Sequence, residues 1–213
     1  LLRSGQVLIA GGTSTKAIKS AEIFDPVTGE INAVGDMITA RTMARAVRLP
    51  AGRVLIAGGS DDTGALASVE IFDPFAAAFL ATDIDNDMLE ARIGHSLTET
   101  THDPVAAVVA GGHGSDPKAT LERFDWDQDL FQKSLGEMQD ARDEHVAISL
   151  GDGKIVFAGG MSLGANSVTG DIYDVDADTM DQANGPMVSG VSYAAASCLE
   201  NGRPVIFGGT DET

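Results

Sequence analysis

Between Arg53 and Pro74 the chain sets short apolar runs against polar turns. Val54-Leu55-Ile56-Ala57 ends in Gly58-Gly59, a polar stretch runs to Ser68, and Val69-Glu70-Ile71-Phe72 closes on Asp73-Pro74. The same phrase is written repeatedly. Glycine pairs stand at 11–12, 58–59, 111–112, 159–160 and 208–209, so they are 47, 53, 48 and 49 residues apart. From the second glycine to the next aromatic is 12, 13, 12 and 13 residues, giving Phe24, Phe72, Phe124 and Tyr173. Seven residues further stand Ile31, Phe79, Phe131 and Met180, followed by Met37, Met88, Met138 and Met187. Four residues after the methionine comes Arg41, Arg92 or Arg142, and Val191 in the fourth copy. Recurrence near 50 residues marks a repeat architecture.

Within one copy the apolar segments are 44–49, 54–57, 69–72 and 77–81. Runs of four to six residues are too short for helices and suit strands. Pro-Ala-Gly at 50–52 and Asp-Gly at 152–153 read as tight turns between first and second strands. The units are about 1–39, 40–90, 91–140 and 141–189, with a partial copy at 190–213. Four strands per unit, none able to bury both faces alone, predict an all-β chain: a β-propeller of four-stranded antiparallel blades with its core between neighbours. The glycine pairs answer either a close approach of backbone or a positive φ. Sequence leaves open which glycine serves which. Strands counted in this way begin and end inside a unit, which suggests a fragment of a longer ring of six or seven blades. A compact four- or five-blade ring, or an open arc closed by a second copy, are the alternatives.

The apolar run with Gly-Gly, then Phe-Asp-Pro, then Met-x-x-Ala-Arg, resembles the kelch repeat over essentially all 213 residues. It is closest to the bacterial variety, in which Ser-Ala-Glu-Ile-Phe-Asp-Pro-Val-Thr-Gly at 20–29 would form the third strand and its hairpin. Trp126 and Val175 replace the prolines at 26 and 74, and Ile31 and Met180 stand where that family places a large aromatic. A histidine three residues after the arginine is kept only as His95 and His145. The resemblance implies that partners are held by segments 13–19, 60–67, 113–119 and 161–168, with 34–41, 85–92, 135–142 and 184–191. The candidate partner-binding rim is then Arg41, Asp61, Asp62, Arg92, His113, Asp116 and Arg142. Trp126, on a turn at the opposite face, reads as packed on a neighbouring hairpin, with an exposed recognition residue the alternative.

Charge narrows the partners. With 32 acidic and 14 basic residues the net charge is −18, which disfavours nucleic acid and anionic membrane surfaces. A hydrophobic content of 43% excludes disorder, while an aromatic content of 5% and 25 glycines imply little apolar area per strand. No apolar stretch approaches the length of a membrane span. The single cysteine, Cys198, lies in an apolar segment and reads as a buried, inert thiol. Lys16 and Lys19, and His102 on the loop 99–104, read as solvated loop residues.

Asp125-x-Asp127-x-Asp129 and Asp174-x-Asp176-x-Asp178 invite calcium, yet counting from either first aspartate puts Leu130 or Thr179 at the sixth place and Gly136 or Gly185 at the twelfth. An EF-hand needs Gly and Glu there, so acidic hairpins are the better reading and calcium the weaker one. The recurring arginines suit per-unit ion pairs or bonds to strand carbonyls; a ring of them could instead hold an anion. No phosphate loop, zinc-spaced set or nucleophile elbow is present, and the polar positions repeat where catalysis needs a unique cluster. The expectation is therefore a non-catalytic propeller presenting its loops to a protein or glycan, with an extracellular or periplasmic location favoured. A propeller enzyme acting on a small or saccharide substrate, and a structural domain of a larger surface protein, are the rivals.

Overall fold

The computed structural model describes residues 1–81, 86–100, 103–199 and 201–211. The chain falls into two compact units, Leu1–Ile93 and Gly94–Thr213.

In the first unit, β1 (Val7–Ala10), β2 (Ala21–Phe24) and β3 (Ile31–Ala33) form a three-stranded antiparallel sheet. Strands β4 (Arg45–Arg48), β5 (Val54–Ala57), β8 (Val69–Asp73) and β9 (Ala78–Ala81) form a four-stranded one. A two-residue-per-strand hairpin, β6 (Ser60–Asp61) with β7 (Gly64–Ala65), stands between β5 and β8. Leu2, Met37, Val54, Ile56 and Phe72 are buried as one cluster, against which Leu8, Ile23 and Phe79 pack. Side chains of both sheets thus share a core that neither could close alone.

The second unit holds the sheet β10 (Ser96–Glu99), β11 (Val105–Ala110), β12 (Thr120–Asp125) and β13 (Leu130–Glu137). Beside it in sequence is the sheet β14 (Val146–Ser149), β15 (Lys154–Ala158), β18 (Gly170–Asp174) and β19 (Thr179–Gln182), with the hairpin β16 (Met161–Ser162) and β17 (Ala165–Asn166). Strand β20 (Ala195–Cys198) pairs with β21 (Pro204–Phe207). The core joins Val105, Val108, Leu121 and Met138 to Ile155, Phe157 and Tyr173.

The spacings in the sequence now have causes. The seven-residue step from aromatic to apolar residue is a cross-strand pair: Phe24 faces Ile31, Phe72 faces Phe79, Phe124 faces Phe131 and Tyr173 faces Met180. The two Phe–Phe pairs tilt at 53° and 51° with centroids 5.0 and 5.1 Å apart, the inclined geometry that aromatic quadrupoles prefer. The alternation of 12 and 13 residues after the glycines follows the loop type. A single bridge, Thr13 to Ala17 or His113 to Pro117, closes the shorter loops, and the hairpins β6–β7 and β16–β17 close the longer ones.

Each hairpin between third and fourth strands is built by one aspartate. Asp25, Asp73, Asp125 and Asp174 each accept from the backbone N–H groups two and three residues on. The residue four after each of them is left-handed: Gly29 (φ 76°), Ala77 (φ 51°), Asp129 (φ 53°) and Asp178 (φ 53°). Aspartate and glycine tolerate that region, whereas alanine has no side-chain hydrogen bond to offset the Cβ contact. Ala77→Gly is expected to stabilise the first unit by about 0.5–1 kcal/mol, read as a rise in the urea midpoint.

The β-propeller is overturned. The described residues form seven discrete antiparallel sheets of two to four strands, in which pairing runs between segments close in sequence, and not a radially closed set of four-stranded blades. The physical reason is that the periodic pattern specifies ladders inside one copy; it carries no term that obliges the sheets to close on one another. The expected burial of Cys198 is corrected as well. It is exposed, because β20 belongs to a sheet of only two strands. His102 lies outside the described residues.

Candidate functional site

An acid sits two residues before every third-strand aromatic: Glu22, Glu70, Glu122 and Asp171. A charge in the middle of an apolar strand needs a partner, and for Glu70 and Asp171 an arginine of Met-x-x-Ala-Arg supplies it. Arg41 is 1% exposed; its guanidinium donates to the carbonyls of Gly58 and Ser68 at 2.9 Å each, to the Ser68 hydroxyl at 3.0 Å and to Glu70 at 2.9 Å. Glu70 in turn accepts from the backbone N–H groups of Ile38 and Thr39 at 2.7 and 2.9 Å. Arg142 repeats the arrangement. It donates to the carbonyls of Gly159 and Thr169 at 3.1 and 3.0 Å and to Asp171 at 2.9 Å, while Asp171 accepts from Gln139 N–H at 3.1 Å. Burial pushes the Arg142 guanidinium down and the Asp171 carboxyl up, and their mutual attraction opposes both shifts. Arg92 is wholly buried too, 2.8 Å from Glu90. Arg41 and Arg142 therefore tie the loops that carry them to the glycine pair and third strand of the following copy. Their guanidiniums face strand carbonyls, out of a solute's reach. Sequence reading missed Glu70 and Asp171, although an acid at one place in every third strand was the available signal.

The glycine pairs complete the tie, and both demands raised by the sequence apply. Gly12, Gly59, Gly112 and Gly160 each donate a backbone N–H to the carbonyl at the arginine position, at 2.7–2.9 Å, including Val191 where the arginine is missing. A Cβ on Gly11 would lie 2.5 Å from the Arg41 carbonyl oxygen, and Gly11 has a φ of +68°.

The exposed candidates stand on the loops after these glycines. Asp61 Oδ1 accepts from the N–H groups of Thr63 and Gly64 and from the Thr63 hydroxyl, and the Thr63 side chain leads the causes that hold its carboxyl below the ordinary value. Asp62 accepts from Ala17 N–H and lies 3.4 Å from Lys16 Nζ. In the second unit His113 Nδ1 lies 2.5 Å from Asp143 Oδ2, and Asp116 takes a hydrogen bond from Ser115 at 3.0 Å. Trp126 is half-buried on the β12–β13 turn and donates its backbone N–H to the Pro104 carbonyl at 3.0 Å. Of the paired histidines, His145 Nε2 is 2.9 Å from Ser96 Oγ with its ring edge-on to Phe157, and His95 is buried. They are framework residues.

The first carboxylates of the two aspartate triplets are taken. Asp125 holds Asp127 N–H, Gln128 N–H and the Gln128 amide; Asp174 holds Asp176 N–H, Ala177 N–H and Lys154. Among the described residues no three His, Cys, Asp or Glu side chains gather as a metal site, and no helix is long and apolar enough to cross a membrane.

One polar cluster is unique to a single copy. Asp178 accepts from Tyr173 Oη at 2.6 Å, Ser134 Oγ at 2.5 Å and Leu135 N–H at 3.1 Å, and lies 3.2 Å from Arg123. Burial pushes the Asp178 carboxyl up, but Ser134, Tyr173, Leu135 and Arg123 outweigh it and leave the group below its ordinary value. Burial also pushes the Tyr173 phenol up, and Asp178 adds to that shift. A carboxylate so fully donated to is a weak base, and Ser134 gives it its proton while accepting from Gly136 N–H. The cluster locks β13 to the β18–β19 hairpin and supplies no activated nucleophile.

These carboxylates set a pH dependence. Asp25, Asp73 and Asp174 are lowered from 3.8, chiefly by Val27 N–H, Phe75 N–H and the Lys154 ammonium respectively. A depressed folded value contributes stability that is present above the unfolded value and lost as pH falls through the folded one. The urea midpoint is therefore expected to hold steady from neutrality to about pH 5 and to fall below about pH 4. A midpoint unchanged down to pH 2.5 would contradict this.

Comparison with known proteins gives no match to any family model and none to any curated protein. The kelch resemblance is accordingly corrected: similar spacing within each copy arises from hairpin pairing and buried ion pairs, and no family model recognises the chain. The function read from it, a propeller offering its loops as a scaffold, falls with the architecture, as do the propeller enzyme and the propeller-built structural domain.

Proposed function

We propose that the chain is a binding protein whose partner is a polypeptide with a basic segment, held by the exposed turns that follow the glycine pairs. The observation that carries this is how charge divides between interior and surface. Inside, Arg41 faces Glu70 and Arg142 faces Asp171, so the buried charges of these ties cancel. The net charge of −18 is left untouched by these pairs, and among the described residues Asp36, Asp62, Asp116, Asp127, Asp152 and Asp176 stand exposed on turns and hairpin ends. The buried framework repeats from copy to copy, while the turns do not: one offers Asp61 and Asp62, another His113 and Asp116. Variation confined to exposed turns over a constant frame is where repeat proteins carry recognition. The sign of the charge attracts cations and repels polyanions. The Lys16–Asp62 pair, with side chains 76% and 48% exposed, holds weakly enough for an incoming lysine to displace it.

The test is fluorescence anisotropy with labelled Lys/Arg-rich, neutral and acidic peptides of equal length, at 50 and 200 mM salt. A neutral oligosaccharide serves as the competing ligand. The basic peptide is expected to bind, to lose several-fold affinity at the higher salt, and to bind at least threefold more weakly to the D61N/D62N or D116N variant. Asparagine keeps the acceptor that shapes the 61–64 turn. Equal binding of the three peptides, or oligosaccharide binding untouched by these variants, overturns the proposal.

A further inference from the structure

At the other end of the strands from these turns, the first unit has a cavity of about 350 Å³. Leu2, Ile23 and Gly52 line it on one side, Pro74 and Phe75 on another, and Arg3 borders it. Its volume falls within the range of small-molecule sites, and its walls are chiefly apolar with few polar groups, as such sites are. Two features mark it as a recognition site. Phe75 is 93% exposed at the tip of the Asp73 hairpin, where the Asp73 carboxylate fixes the backbone by accepting Phe75 N–H. A large aromatic ring is thereby held in water on a rigid turn. Second, the other polar groups nearby are engaged: Gln6 donates to Asp25, and Arg53 lies 3.2 Å from Asp73. Arg3, by contrast, has no carboxylate within ion-pair distance among the described residues, although acids outnumber bases more than twofold in this chain. Its aliphatic stem lies over Gly52, where an added Cβ would meet Arg3 Cδ at 3.1 Å. That position leaves the guanidinium at the border of the apolar walls.

We propose that this cavity binds a small amphipathic monocarboxylate, with its aromatic or short aliphatic body between Ile23, Pro74 and Phe75 and its carboxylate on Arg3. Charge selects the head group: an unopposed guanidinium takes a carboxylate in a forked, two-point contact. The walls select the body, since Phe75 gains most by covering an apolar surface. The site is independent of the turns assigned to a basic partner, and the two can fail separately.

The experiment is isothermal titration of the whole chain with 3-phenylpropionate and with 3-phenylpropionamide, its neutral counterpart. The carboxylate is expected to bind saturably and at least fivefold more tightly than the amide. Arg3→Gln should reduce carboxylate affinity to that of the amide, and Phe75→Ala should weaken both ligands. Both side chains are exposed, so thermal midpoints within about 2 °C of the parent confirm that the variants are folded. Absence of saturable binding, equal affinity for acid and amide, or an Arg3→Gln variant that still prefers the acid overturns the proposal.

Discussion

Arg142→Ala is expected to destabilise the second unit by about 3–5 kcal/mol, because it leaves the wholly buried Asp171 carboxylate without its counter-charge. Four further acceptors lose a donor at the same stroke: the carbonyls of Asp140, Gly159 and Thr169 and the Thr169 hydroxyl. Arg142→Lys should recover only part of the loss, since one ammonium cannot reach a carboxylate and two carbonyls arranged around a planar fork. Urea denaturation followed by near-ultraviolet circular dichroism reads the effect. The double variant Arg142→Met with Asp171→Leu distinguishes the cause. Removing both charges should restore much of the stability if burial of an unpaired carboxylate is the penalty. A loss below about 1 kcal/mol for Arg142→Ala would show that the ion pair is exchanging with water and is no anchor.

The second large effect contrasts two adjacent residues. Gly11→Ala would put a methyl group 2.5 Å from the Arg41 carbonyl oxygen and 2.8 Å from Met37 Cε, at a φ of +68°. The methionine end can move; the carbonyl cannot, because it also accepts Gly12 N–H at 2.8 Å. The expected loss is about 4 kcal/mol or more, the range reserved for a backbone clash in a packed interior. Gly12→Ala meets no atom within 4 Å, although its φ is +108°. Backbone strain alone applies there, about 1–3 kcal/mol. Chemical denaturation of the two variants in parallel measures the difference. Equal losses would mean that the positive φ, and not the approach of Arg41, selects glycine at position 11.

Strands were legible in the sequence wherever an apolar run was bounded by turn residues. Val54–Ala57 and Pro204–Phe207 are both observed strands, and the step from Phe72 to Phe79, visible in the sequence only as a recurring spacing, is a cross-strand pair. The short hairpins at 60–65 and 161–166 look like plain loops in the sequence, because two-residue strands leave no periodicity to detect. The repeat alone suggests closure into a propeller but does not enforce it, because identical local ladders are compatible with many arrangements of sheets. The arginines were conspicuous by recurrence, but their role turned on Glu70 and Asp171, acids concealed inside apolar strands. The Asp178 cluster was illegible for a different reason. Ser134, Tyr173 and Asp178 share no motif, and they meet only because a β13 residue lies against the next hairpin.

The two short hairpins have a use in engineering. Segments 60–67 and 161–168 are of equal length, and each is anchored alike, Leu66 N–H to Gly59 O and Ser167 N–H to Gly160 O at 2.8 Å. Each also rests on a bridge to the residue after the arginine, Thr42 to Ser60 in one and Asp143 to Met161 in the other. They are thus interchangeable cassettes: one can be transplanted for the other, or randomised between its anchors, while the underlying lattice of strands stays as it is.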